Sequence, residues 1–427
     1  MVPTIDVAIV GAGPSGLLLA ESDVNFAVFE RQQDVGGIWN IDAEGSPMYE
    51  SAHFISSRTL SGFPGFPMPD VYPDYPNNRQ IRSYIRSFAD AYDLRRHISF
   101  GVSVTSAVPD GDGWLLTLNN GETCHAGYLV CANGVTWVPN QVTWPGEFAG
   151  EVRHSVSYRS AEEFRGKRVL VVGAGNSGVD IACDAAFAAD QAFLSLRRGY
   201  HFLPKLIMGK PSDVIASTGP HLPHRVTIAI FTVLLKLING NLRQYGLPKP
   251  DHGLLQSHPI VNTQILHYLA HGDCVAKPDV ARFDGDEVVF TDGSRERIDL
   301  VISATGYQHA VPFLGADILE HRRGRPDLYL RIFSRTHPNL ALLGFTEFAS
   351  AAYTNFDLMA ELIVADATAK PGSEMASAMA RMKRTHRPDL TGGHRYIDSE
   401  RHANYVEVDA YLKVLAQVKR EVGVASD

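Results

Sequence analysis

The 427-residue chain has four cysteines, Cys124, Cys131, Cys183 and Cys274, set far apart and with no C-x-x-C pair. That spacing argues against dithiol redox chemistry and against a zinc site, and no metal is expected. Long blocks of like charge are also missing: 39 Lys and Arg stand against 47 Asp and Glu, a net charge of −8. Nucleic acid and acidic membrane surfaces are therefore not expected partners. No apolar run reaches a bilayer span, since the longest, Val226 to Ile238, is interrupted by Lys236. The first residues enter a strand pattern with no charged leader, and no segment is of low complexity. The expectation is a cytoplasmic globular protein without a transmembrane anchor. At 45% hydrophobic and 20% charged residues, a chain of this length divides into two or three domains.

What the chain does contain is the same kind of glycine turn twice. Val169 to Arg198 reads as an apolar strand, a turn with Gly173, Gly175 and Gly178, an amphipathic helix, a second strand (Ala192 to Leu196) and two arginines, Arg197 and Arg198. In a dinucleotide-binding unit such glycines make the tight turn, admit backbone close to a pyrophosphate and let helix touch strand, with the pyrophosphate resting on the helix N-terminus. Where an NAD site has a carboxylate for the ribose 2′-hydroxyl, this chain has two cations, which suit the 2′-phosphate of NADP(H). Near the N-terminus, Ile5 to Val10 runs into Gly11, Gly13 and Gly16 of GAGPSG, then a helix, then a strand (Asn25 to Phe29) ending at Glu30. Residues 17–29 number 13 here, against 18 for residues 179–196, so the first helix is predicted about one turn shorter. Opposite charges at the two strand ends imply two different dinucleotides, one with a free ribose diol and one with a 2′-phosphate.

The segments between these units carry weaker signals. Asp34 to Trp39 (DVGGIW) pairs Gly36 and Gly37, which would admit backbone to a phosphate or flat ring, with Trp39 as a wall. His53 to Tyr75 reads as a long ordered loop, Gln80 to Tyr92 as a helix, and Ile98 to Val130 as a small antiparallel sheet. Tyr128 to Gly134 and Leu300 to Gly306 are alike, each an apolar strand followed by a small residue, a polar one and a glycine. Tyr200 to His271 lacks a nucleotide-fold pattern and is predicted as a helical insertion, either packing or covering a substrate pocket. The C-terminal helix, Val408 to Val422, should pack Val408, Tyr411, Leu412 and Leu415 inward and turn its charges to water.

A third motif ties these features together. Phe148 to Tyr158, FAGEVRHSVSY, resembles the F-x-G-x-x-x-H-x-x-x-(W/Y/F) signature of flavin-containing and Baeyer-Villiger monooxygenases, and it lies between the two glycine units as it does there. With GAGPSG and Glu30, GGIW, GAGNSG followed by RRGYHFLPK, and SATGY at 303–307, the resemblance covers most of the chain. It implies an α/β protein with two Rossmann-like domains, the NADP domain inserted into the FAD domain. Residues 1–155 and 303–427 would form the FAD part with the C-terminal helices, and 156–302 the NADP part, with the helical insertion at about 200–271. FAD would be held by Gly11, Gly13, Pro14, Ser15, Gly16, Glu30, Arg31, Gly37, Trp39 and Gly134. NADP(H) would be held by Gly173, Gly175, Asn176, Ser177, Gly178, Arg197 and Arg198, with Thr305 and Gly306 also against a cofactor.

The activity implied by the resemblance is NADPH-dependent insertion of one oxygen atom from O2 into a small organic substrate, through a C4a-(hydro)peroxyflavin. Tyr158 stands where Baeyer-Villiger enzymes usually have Trp, which favours N- or S-oxygenation over Baeyer-Villiger or keto-acid oxygenation. Amine and sulfide oxygenases of the family often carry an asparagine in a T-N-x-P-K-E-like stretch. The matching region, Phe54 to Phe63, has none, and Ser56 and Ser57 are the nearest polar candidates for a catalytic role. His154, the third candidate, sits in the linker motif and suits a conformational role better than proton transfer. An NADPH-dependent flavoprotein reductase or oxidase, and a nucleotide-binding sensor without turnover, are the rival readings. A homodimer is the general expectation for a soluble enzyme.

Overall fold

Each glycine turn follows an interior strand of its own sheet, paired in parallel on both sides. The computed structural model describes residues 4–20, 24–219, 224–322, 324–399, 402–403 and 405–424. In the first unit β1 (Thr4–Val10) and β2 (Phe26–Glu30) pair in parallel through α1 (Pro14–Ala20). Alternation along β1 sends Val7 and Ile9 to one buried face, Ala8 and Val10 to the other, as a sheet covered on both sides requires. The far end of the first helix, predicted from spacing to be short, lies outside the described residues.

Helix α2 (Asn78–Ala91), opened by reciprocal bonds between Asn77 and Gln80, packs Ile81, Ile85 and Phe88 on the first face. β3 (Ile98–Phe100) then extends the parallel sheet beside β2. The antiparallel sheet expected over 98–130 therefore holds only for β4 (Val104–Asp110), β5 (Gly113–Leu118) and β6 (Thr123–Cys131). β3 departs because Ile98 is buried in the same core as Val28 of β2. β6 also lies parallel to β1, which brings its C-terminal end to the first glycine turn.

A two-stranded ribbon, β7 (Val138–Pro139), leads to β8 (Glu151–His154), β9 (Arg168–Val172), α3 (Asn176–Ala188) and β10 (Gln191–Ser195). The insertion follows: a short hairpin of β11 (Leu206–Ile207) and β12 (Lys210–Pro211), then α4 (Ser212–Thr218) and α5 (His224–Asn239). α6 (Gln264–His271) and β13 (Cys274–Lys277) come next, then the antiparallel β14 (Val280–Asp284), β15 (Glu287–Phe290) and β16 (Arg295–Arg297), and β17 (Leu300–Ser303). The second sheet runs β13-β10-β9-β17-β8, all parallel.

Two expected boundaries move. β8 (Glu151–His154) pairs with β17, Ser303 opposite His154, so the second sheet already includes residues 151–154, ahead of the expected start at 156. The insertion ends before α6, because Ile265 and Leu269 pack into the core of the second sheet and α6 is the crossover to β13. The predicted apolar run lies in α5, where Val226, Ile230, Val233 and Leu237 are exposed; among the described residues no helix is long and apolar enough to cross a membrane.

The chain returns through β18 (Tyr307–Gln308), paired with β7. Leu340–Leu342 then adds to the first sheet beside β6, and α7 (Tyr353–Thr368), α8 (Glu374–Thr385) and α9 (Val408–Glu421) close it. Tyr411 and Leu415 of α9 are buried as predicted. Its charges do not all face water: Lys419 is 4% exposed and donates to Glu361 of α7, which satisfies the buried ammonium.

Candidate active site

Both glycine turns are fixed by the same contacts. Gly11 N–H donates to Phe29 O and Ala132 N–H to Val10 O; Gly173 N–H donates to Ser195 O and Ala304 N–H to Val172 O. A Cβ on Gly11 would stand 2.5 Å from Ala132 O, and one on Gly173 2.5 Å from Ala304 O. The paired strand ends noted in the sequence, YLVCANG and LVISATG, thus pack as the third wall of each turn. Gly13 and Gly37 also meet: a Cβ on Gly37 would be 3.1 Å from the Gly13 Cα, so the GGIW segment closes against the first turn.

Next to the first turn is a cavity of about 440 Å³. Gly11, Gly13, Pro14, Ser15, Glu30, Arg31, Gly37, Trp39 and Gly134 all line it. Gly16 does not; it packs beneath Gly11. Glu30, 6% exposed, accepts from Ala12 N–H at 2.7 Å and Gln32 N–H at 2.8 Å. Burial pushes its carboxyl above the ordinary range, and the two N–H bonds oppose that shift. Arg31 lies over the Trp137 ring, 3.9 Å from its centroid, at the same end. Toward the other end Trp39 stacks on Phe54 at 5.0 Å, and Tyr353 and Phe356 from the start of α7 join the lining.

A flavin dinucleotide fits these residues on two structural grounds. A backbone carbonyl and a Cα stand where a Cβ on Gly11 or on Gly37 would go, leaving bare backbone on that side of the cavity. Asn133, in the lining, has a buried Oδ1 with no partner among the described residues, an acceptor ready for a ligand donor. A second depression of about 740 Å³ beside Arg79, Arg82 and Arg86 shares no lining residue with this cavity, and its cations are paired with Glu50, Asp42 and Asp34.

At the second turn Gly175 is the N-cap of α3, and Asn176 Oδ1 accepts from Val261 N–H at 2.8 Å, so the insertion is tied to the turn. Arg197 is exposed and Arg198 half-buried at the end of β10. Lower on α3, Asp180 accepts from Tyr49 and Asn262, and Asp184 accepts from Ser51 and, at 2.7 Å, from Tyr158. Burial pushes both carboxyls up. Through these bonds the first unit and the linker motif are fastened to the helix behind the second turn.

Three of the sequence candidates lie away from the cavity. Ser56 Oγ accepts from Ser61, and Ser57 is fully buried with its N–H donated to Asp213 of α4; neither lines the cavity. The Phe54–Phe63 loop turns Phe54 toward Trp39 and its serines elsewhere. His154 Nδ1 accepts from Val156 N–H, and Nε2 faces Gly306 O, both at 3.1 Å. Both ring nitrogens are thus engaged, and burial lowers the imidazole's pKa. Thr305 donates to Asn140 O in the same linker. Missed from the sequence were Trp137, Asn133, Tyr353 and Gly344, whose added Cβ would be 2.8 Å from Ser15 Oγ. Gly344 follows the strand Leu340–Leu342 with φ 87°, a conformation that favours glycine.

The flavin-binding monooxygenase-like family model matches residues 4–426. The chain belongs to this family. Mouse flavin-containing monooxygenase 5 is 32% identical over 455 positions, covering 98% of this chain and 83% of the relative. The human protein named "Putative dimethylaniline monooxygenase (N-oxide-forming) 6" is 33% identical over 390 positions, covering 83% of this chain and 71% of the relative. In fold the chain is similar to S-allyl-L-cysteine S-oxygenase from Allium sativum, with TM-score 0.67, 18% identity, and 99% and 90% of the two chains covered. The family member is a flavoprotein monooxygenase dependent on NADPH and O2, with FAD and NADP(H) as its cofactors.

Proposed function

We propose that the protein oxygenates nitrogen or sulfur in a small organic substrate. The carrying observation is the pair of like-built turns with opposite strand ends, Glu30 buried at one, Arg197 exposed and Arg198 half-buried at the other. Gly11, Gly13, Pro14, Ser15 and Gly37 would hold the pyrophosphate of FAD, with Glu30 at its ribose diol and Trp39 beside the ring. Asn176, Ser177 and the N-terminus of α3 would take the NADP(H) pyrophosphate, and the arginines its 2′-phosphate. The chemistry supplied by FAD when bound is activation of O2 after reduction by NADPH.

The chain's own part is to position and to exclude water. Trp39, Tyr353 and Phe356 make an apolar end to the cavity, and Phe54 packs against Trp39 and Tyr353. His154, with both nitrogens bonded, positions β8 against the β17–β18 connection. Support for heteroatom oxygenation comes from the relative at 33% identity, whose name carries N-oxide formation. Tyr158 bears on domain coupling and not on substrate choice, since its hydroxyl is spent on Asp184. Mass spectrometry of products from amines, sulfides, ketones and keto acids, with NADPH and air, tests the reading. N-oxides or sulfoxides are expected; esters from ketones as the sole products would overturn it.

A further inference from the structure

At the end of β10, Arg198 is paired within the coenzyme site itself. Its guanidinium lies 3.4 Å from Asp251 Oδ2, with side chains 30% and 53% exposed. Asp251 comes from the insertion, and the segment carrying it is closely fitted to β10. A Cβ on Gly199 would stand 2.4 to 2.5 Å from the backbone of Pro248 and Lys249. His201 Nε2 bonds the His252 carbonyl at 3.0 Å, and His252 Nδ1 lies 2.7 Å from Asp251 Oδ1. Arg197, next door, is exposed and makes no ion pair among the described residues.

Sites for the two nicotinamide coenzymes differ in what faces the adenosine ribose: cations for a 2′-phosphate, a carboxylate for a 2′-hydroxyl. Here β10 supplies the cations and the insertion supplies a carboxylate beside one of them. A 2′-phosphate on Arg198 meets Asp251 as a like charge, whereas a 2′-hydroxyl finds in it an acceptor. We propose that Asp251 is a specificity-determining residue that narrows the preference for NADP(H), so that the protein also binds NAD(H). This rests on the reading that Arg197 and Arg198 face the 2′ position.

The test is calorimetric titration of the FAD-loaded full chain with NADP+ and with NAD+, read as the ratio of their dissociation constants. In Asp251→Asn the ratio should move toward NADP+ by roughly fivefold, the scale of one half-exposed charge interaction, with NAD+ weakened. Asp251→Glu should keep the parent ratio, and thermal melting with flavin absorbance checks that both variants fold. An unchanged ratio in Asp251→Asn, or weaker NADP+ binding, overturns the proposal. Replacing Arg197 and Arg198 by Ser separates the two failures. If that variant loses NADP+ while Asp251→Asn changes nothing, only the role of Asp251 falls; if it binds NADP+ as before, the arginine reading falls and the proposal with it.

Discussion

The two nucleotide units differ least where their sequences look most diagnostic. Gly11 has φ 110° and Gly173 φ 105°; a Cβ on Gly16 would lie 1.9 Å from Gly11 O, one on Gly178 2.0 Å from Gly173 O. These glycines therefore specify how helix, turn and two strands meet, and they would do so with either ligand. The difference lies one strand later. Glu30 is buried and bonded back to the turn through Ala12, while Arg197 and Arg198 project from the end of β10. On the proposed reading the strand ends would set ligand identity in opposite ways: a carboxylate integrated into the turn, and two arginines, one exposed and one paired with Asp251.

Adding one methyl group to each unit breaks the comparison most severely. In Gly16→Ala and Gly178→Ala the new carbon meets a backbone carbonyl in a helix start that cannot shift freely, for a cost of about 3 kcal/mol each. Gly16→Ala should purify with little flavin and a lowered Tm. Gly178→Ala should retain its yellow colour and lose NADP+ binding in titrations. Equal flavin loss in both would mean that the units do not bind separately. Glu30→Gln is milder. It puts an amide donor against N–H groups now 2.7 and 2.8 Å from carboxylate oxygens, so FAD affinity should fall roughly tenfold to a hundredfold. NADP+ affinity of the flavin-loaded fraction should be unchanged; a parallel loss would sink the idea that Glu30 serves only the first unit.

The turns, their flanking strands and the charge contrast were legible in the sequence because short-range geometry dictates them. A strand ending in glycine before a helix has few backbone solutions, and period-two burial marks each strand. What stayed hidden depends on contacts between distant segments. β3 reads like part of a meander, yet Ile98 joins the core of β2. α6 reads from sequence as part of the insertion, because only its packing against α3 shows that it is the crossover to β13. Ser56 and Ser57 are the nearest polar residues in a stretch without asparagine, yet the loop turns them away from the cavity. Trp137 and Tyr353 carry no motif, and they reach the cavity only because a ribbon and a helix N-terminus converge there. The bond from Tyr158 to Asp184 likewise joins a motif whose spacing is visible to a helix whose position is not.

The smallest expected effect concerns the hinge between the units. His154 is neutral in its present bonds: Nδ1 accepts from Val156 N–H, which leaves the proton on Nε2 for Gly306 O. Protonation would place an N–H on Nδ1 against the Val156 N–H. Burial accordingly depresses the pKa below its usual 6.5, and the Gly306 bond only partly offsets this. A depressed folded pKa contributes stability that is present above the unfolded value of 6.5 and is lost as pH falls through the folded value. Asn at this position can keep an acceptor toward Val156 without titrating. The difference in Tm between parent and His154→Asn should therefore shrink as pH is lowered from about 8 to about 5, the range in which an imidazole charges. Because every other group is common to both proteins, the difference isolates this one. A gap independent of pH would show that the ring is not held neutral, and would reopen a proton-transfer role for His154 that its two bonds now argue against.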